Sequence, residues 1–206
     1  MIPKHPLKKT NRFEQERQSI QDINQFSSIV HALQSTSRDA RKEAARKLGE
    51  IGLEDAVEPL SLALFDEQDV SVRIQIIEAL SQIGTDEAIA GIMDVLDDAD
   101  NNVRKAAVSV LRGVDLDEIS DKVIDELMYL AEEDIDGSVR LAAIDALFQY
   151  EDKKVTQMLS KLLSDSEPMI RDAIKRGMEQ RAIIEEPKAK GPERKAKIGK
   201  KQRIRR

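Results

Sequence analysis

Five arginines recur along the chain at near-constant spacing: Arg41, Arg73, Arg104, Arg140 and Arg171, separated by 32, 31, 36 and 31 residues. A guanidinium is planar, always charged and carries five donors, so a row of them could clamp phosphates or carboxylates. The same group can instead pair with an acid of its own or an adjoining unit and satisfy carbonyls at a helix end. The regular spacing favours the second use, because a group required once per unit is what a repeated interface needs. Little else in the chain offers chemistry. The absence of Cys excludes disulfides, thiolate zinc sites and a cysteine nucleophile. The two histidines, His5 and His31, exclude a multi-histidine metal centre; His31 reads as a partly exposed helical residue and His5 as part of a solvated leader. None of the patterns G-x-x-x-x-G-K-[ST], G-x-S-x-G or G-x-G-x-x-G occurs. The acid clusters Asp97-Asp98-Ala99-Asp100 and Glu132-Glu133-Asp134 lack the calcium-loop spacing and read as caps and solubilising charge. No catalytic residue, cofactor or metal site is expected.

The elements that carry the arginines follow from the residues around them. Three positions after each Arg stand Ala44, Ile76, Ala107, Ala143 and Ile174, and seven after stand Leu48, Leu80, Leu111, Leu147 and Met178. Val72, Val103, Val139 and Ile170 immediately precede four of the five. Apolar residues at −1, +3, +7 and usually +10 make one helical stripe. Asp69, Asp100 and Asp136 stand four residues before their Arg, where Asp is a favoured N-cap, and Pro168 stands where a first-turn proline belongs. A second set of helices is predicted over 22–34, 53–64, 86–96, 116–131 and 153–163. The expectation is therefore an all-α chain of ten helices in five antiparallel pairs, with no strands. One pair cannot bury its own apolar face, so the pairs must stack into a right-handed α-solenoid, about 45 Å long at ~8–10 Å between helices. The longer 104–140 interval predicts that the helix near 117–133 gains about one turn.

The frame Asp-x-x-Val-Arg-x-x-Ala-x-x-x-Leu-x-x-Ile-Gly, carried most fully by Asp69 through Gly84, resembles HEAT repeats, in particular the shorter phycobilisome-lyase-type HEAT-like repeat. The resemblance covers about 22–182 and implies a HEAT/armadillo-like fold built around a carboxylate–arginine ladder. The matching acids, about six residues before each Arg, are Glu67, Asp98, Asp134 and Asp165; the first repeat lacks one. Pro59 matches a proline that kinks the first helix of some family members. Enzymes resembling this family that bind iron do so through paired His-Glu motifs, which this chain lacks.

Charge divides the chain differently. Residues 36–187 carry a net −17, while 188–206 carry ten basic groups and one acid. The expected organisation is a partly helical leader at 1–21, a repeat body at 22–184 and a basic tail at 185–206. No run is apolar enough for a membrane span and no signal peptide is read, so the expected location is cytoplasmic. The tail residues Arg194, Lys195, Lys197, Lys200, Lys201, Arg203, Arg205 and Arg206 suit acidic protein, RNA without sequence preference, or an anionic lipid surface. On the arginine helices, positions +1, +5 and +8 oppose the apolar stripe. They include Ile74, Glu78, Lys105, Arg112, Leu141, Asp145 and Phe148, where three large apolar groups are not needed for the core. The leading expectation is a non-enzymatic scaffold gripping a protein partner on this face, with the tail adding electrostatic contacts. The alternatives are a phycobilin-lyase-like subunit or chaperone acting on a pigment protein, and a nucleic-acid- or ribosome-associated factor acting through the tail.

Overall fold

The computed structural model describes the backbone of residues 12–112, 114 and 120–185, and side chains from 21 to 181 within those spans. Among the described residues there are ten α-helices and no strand. They are α1 (Arg12–Ala32), α2 (Arg38–Ile51), α3 (Val57–Asp66), α4 (Val70–Ile83), α5 (Asp86–Met93), α6 (Asn101–Leu111), α7 (Ser120–Glu133), α8 (Gly137–Leu147), α9 (Lys153–Leu162) and α10 (Pro168–Glu185). The helix α1 runs unbroken across the boundary expected at 21/22. A single 3-10 turn, Glu54–Ala56, leads into α3, and Pro59 falls in the first turn of that helix, where its missing N–H leaves no bond unmade.

The first four arginine helices each start on a short polar side chain. Ser37, Asp69, Asp100 and Asp136 accept backbone N–H groups two or three residues ahead and so cap the first four arginine helices. Pro168 opens α10. The helix α7 is 14 residues long against 10 for α3 and 8 for α5, so the insertion does lengthen it by about a turn.

Helices pack as pairs, α1 on α2 through α9 on α10, and the arginine helices also pack on one another in sequence, from α2 to α10. This double packing widens the buried face. Leu48, Leu80, Leu111 and Leu147 are fully buried as the pattern requires, but so are Ala45, Ile77, Val108 and Ile144 at +4. Position +10 is the exception: Ile51 is 41% exposed, whereas Tyr150 is buried. At +8, Gly49 is buried rather than outward. A Cβ there would come within 2.7 Å of the Ala79 backbone, so the glycine lets α2 and α4 approach closely.

Candidate partner-binding face

The arginines are consumed by the stack itself. Each sends Nη1 to the carbonyl of the residue six back: Arg41 to Ser35 (3.0 Å), Arg73 to Glu67 (3.2 Å), Arg104 to Asp98 (2.7 Å), Arg140 to Asp134 (2.6 Å) and Arg171 to Asp165 (2.7 Å). The rest of the guanidinium reaches the carboxylate of the following repeat. Arg41 grips Glu67 with two bonds (2.6 and 2.9 Å), Arg104 grips Asp134 with two (both 2.8 Å), and Arg73 meets Asp98 with one (3.0 Å). One side chain thus ties the turn of its own repeat to the acid of the next. The acid does double duty, since Glu67, Asp98 and Asp134 each also accept the N–H two residues ahead.

Three rungs depart from the expected ladder. Arg41 has an acid although its own repeat lacks one, because the pairing runs forward to Glu67. Asp165 accepts the Glu167 N–H at 2.7 Å, but Arg140 pairs with Glu167 instead. Glu167 holds the position taken elsewhere by the capping Asp and is one methylene longer, which lets it reach back. Arg171, in the last repeat, bonds the carbonyls of Asp165 and Ser166 and meets no carboxylate among the described residues. Within the ladder, Arg73 Nε is buried without a partner, the consequence of its one-oxygen contact with Asp98.

Electrostatics follow the bonds. Burial pushes the Glu67 carboxyl up, but the Arg41 guanidinium and the Asp69 N–H outweigh it and hold it below the ordinary value. The hydroxyl of Ser71 lowers Asp69, the Asn102 N–H lowers Asp100, and the Ser138 hydroxyl with Asn101 lowers Asp136. Asp134 raises Arg104 further above its already high value.

Two residues with cross-repeat roles lay outside the sequence expectations. Gly52 and Gly84 end α2 and α4 in the left-handed region, at φ 66° and 69°, with their N–H groups returned to Leu48 and Leu80. Past α6 and α8 the described side-chain bonds come from the following repeat. There the Tyr150 hydroxyl donates to the Leu111 carbonyl and accepts from the Val114 N–H at 3.1 Å. Arg181 in turn donates to the carbonyls of Phe148 (2.8 Å) and Tyr150 (2.6 Å) past the end of α8. Both residues stand at +10 of the next repeat. The signal was present: glycine at +11 disappears as +10 changes from Ile to Tyr and Arg.

The outward face of the arginine helices is only partly as expected. Glu78, Asp145 and Arg112 are exposed, Lys105 is half-buried, and Ile74 and Leu141 are half-buried against the core. Phe148 is a correction. Its ring packs against Gly177, where an added Cβ would lie 2.2 Å from it, and the Arg181 guanidinium sits 5.2 Å from its centroid. It joins α8 to α10 rather than standing free. Leu141 does border a depression of about 480 Å³, together with Met169 (66% exposed), Asp172, Lys175, Arg176 and Glu179. Met169 was not anticipated, because it lies at −2, off the face as drawn. The tail residues Arg194, Lys195, Lys197, Lys200, Lys201, Arg203, Arg205 and Arg206 lie outside the described residues.

Comparison with known proteins agrees with this geometry. A family model described as HEAT repeats matches residues 27–112. The fold is the HEAT-repeat solenoid. Among solved structures, this solenoid is similar to the complex of CpcE and CpcF of phycocyanin lyase from Nostoc sp. PCC7120, with TM-score 0.57 and 21% identity over 87% of this chain and 69% of that one. A designed armadillo repeat protein in complex with the peptide (KR)4 gives TM-score 0.53 and 20% identity over 80% and 85%. Human deoxyhypusine hydroxylase gives 0.52 and 18% over 80% and 76%. No curated protein matches the chain. Among the described residues no cluster of His, Asp and Glu is placed to hold a metal ion, and no helix is long and apolar enough to cross a membrane.

Proposed function

We propose that the solenoid is a non-catalytic scaffold that holds a protein partner on the outward face of α4, α6, α8 and α10. The observation that carries this reading is the Leu141–Met169 depression, an apolar centre ringed by both signs of charge. Such a patch, with charge at its rim, is how an interface centre is composed. The ladder arginines are already bonded within the stack, so they serve as struts, and Lys105, Arg112, Lys175 and Arg176 provide the cationic contacts of the face. The basic 188–206 segment adds salt-sensitive attraction to an acidic protein or to RNA.

Affinity purification tests this with three forms: the full chain, Leu141→Ser with Met169→Ser, and the chain lacking 188–206. The expected result is loss of the captured partner from the double variant at any salt, and a deficit of the truncated form relative to the full chain that is largest at low salt and shrinks as salt rises. Equal capture by all three forms would reject the face and the tail together.

A second reading, a subunit acting on a pigment protein, draws on the likeness to phycocyanin lyase, which extends over 87% of the chain. Purification beside bilin tests it, and a red-shifted bound chromophore would replace the scaffold reading.

A further inference from the structure

The helices without ladder arginines present very different surfaces to solvent. On α5 the exposed groups include Glu87 and Ala90, and on α9 Thr156, Gln157 and Ser160, all small or polar, while α7 exposes the single ring of Tyr129. On α3, Leu62 is 62% and Phe65 87% exposed. Two large apolar groups that close on one short helix are not explained by the packing of this chain, which buries the opposite side of α3 through Val57, Leu60 and Leu64.

Beside them lies a cleft of about 570 Å³ between α1 and α3. Val30 and Leu33 form one wall, Pro59, Leu62 and Ala63 the other, and the Arg41–Glu67 pair closes one end. Towards the other end it meets a second hollow of about 430 Å³, which shares Val30 and Pro59 and adds Phe26 and Asp55. From Asp55 to Asp66 the α3 side of the groove runs for about three helical turns, or ~16 Å at ~1.5 Å per residue. Asp55 and Asp66 line it, and neither meets a cation among the described residues.

Those two properties together define an occupant. An apolar trough between two helices, three turns long, is filled by the apolar ridge of a third helix. Covering these two carboxylates with an acidic or neutral helix would strip their water without replacing it, whereas lysine or arginine on the flanks would pair them. We propose that the α1–α3 cleft docks a basic amphipathic helix of a partner protein, with its apolar side chains on Val30, Leu33, Pro59 and Leu62. This surface is separate from the face of the arginine helices and does not depend on it.

Three fluorescein-labelled synthetic peptides test the idea against the full chain by fluorescence anisotropy. One carries leucines at i, i+4 and i+7 with lysines on both flanks; the second replaces the lysines by glutamate, and the third replaces the leucines by serine. The expected result is saturable binding of the leucine–lysine peptide alone. Its affinity should fall at least about tenfold in Val30→Ser with Leu62→Ser, the scale of a truncated hot spot, and several-fold in Asp55→Asn with Asp66→Asn. The second pair replaces exposed charges with their amides, so it tests the site without relying on the fold tolerating lost apolar groups. Leu141→Ser with Met169→Ser should bind the peptide normally, which separates failure here from failure of the other face. No saturable binding, equal binding of the glutamate or serine peptide, or an affinity unchanged in the Asp55/Asp66 variant would overturn the proposal.

Discussion

The first and second halves of the stack end their arginine helices by different means. The helices α2 and α4 stop on their own glycines, Gly52 and Gly84, in a conformation that needs no neighbour. At the ends of α6 and α8, side chains lent by the following repeat, Tyr150 and Arg181, bond the backbone carbonyls. A solenoid whose units cap themselves has a stability close to a sum of unit and nearest-neighbour contributions. Borrowed caps add a second link between neighbours, so repeats three to five should unfold more nearly as one body than repeats one and two. The N-termini show no such division, since a short side chain within the repeat caps each of the first four arginine helices.

That uniformity makes acid the broadest perturbation. Asp69, Asp100, Asp136 and Glu67 all have folded-state pKa values below their ordinary ones. Their contribution is fully present above the unfolded carboxylate values near ~4 and is lost as pH falls through the lower folded values. Below about pH 4 both halves should lose thermal stability together. Hydrogen exchange at pH 3 and pH 6, resolved by peptide, checks this; selective loss of one half would show that the caps are not equivalent.

Arg104→Ala should give the largest single-site effect. Arg104 and Asp134 are the most buried rung, with side chains 7% and 4% exposed. Removing the guanidinium leaves a buried carboxylate between the third and fourth repeats, inside the second half, at a cost of about 3 kcal/mol. A melt within a degree of the parent would mean that water replaces the arginine freely.

How much of this was legible follows from what each residue answers to. The arginine period, the Asp caps and the +3 and +7 core positions obey rules local to one helix, and the structure places them as the pattern requires. Burial at +4 was missed because it comes from packing between arginine helices, which one helix's periodicity does not encode. Phe148 was misplaced for a related reason: position +8 faces outward on a lone helix but meets Gly177 of the next. The forward pairing of Arg41 with Glu67, and of Arg140 with Glu167, depends on how successive repeats are offset, which no single repeat specifies.

Tyr150→Phe isolates the borrowed cap. The ring stays and only the hydroxyl goes, leaving the Leu111 carbonyl and the Val114 N–H with the long 3.5 Å bond they make to each other. Losing the hydroxyl's two bonds costs about 1–2 kcal/mol. Exchange should rise at the end of α6, one repeat away from the substitution. Increased exchange confined to α8 would show that the hydroxyl does not support its neighbour.

Gly84→Ala is the counterpart in the first half. A Cβ there meets nothing closer than the Ser81 carbonyl at 3.5 Å, so the cost is that of the left-handed backbone alone, about 1 kcal/mol. Because α4 caps itself, exchange should rise at its own end and not in α2 or α6. Spread into either neighbour would erase the distinction between the two halves.

The smallest effect is expected at the last acid-bearing rung. Glu167 is 50% exposed, whereas its partner Arg140 is 14% exposed and keeps its bond to the Asp134 carbonyl at 2.6 Å. Glu167→Gln removes the charge but keeps the length and an acceptor oxygen, so the loss should be about 0–1 kcal/mol and should shrink with salt. Moving the acid to the ladder's regular place sharpens the test. Asp165→Glu gives that position the reach that Asp165 lacks, and in a Glu167→Gln background it should recover part of the lost stability. A double variant no better than the single one would show that the offset between the fourth and fifth repeats, rather than side-chain length, decides which acid Arg140 takes.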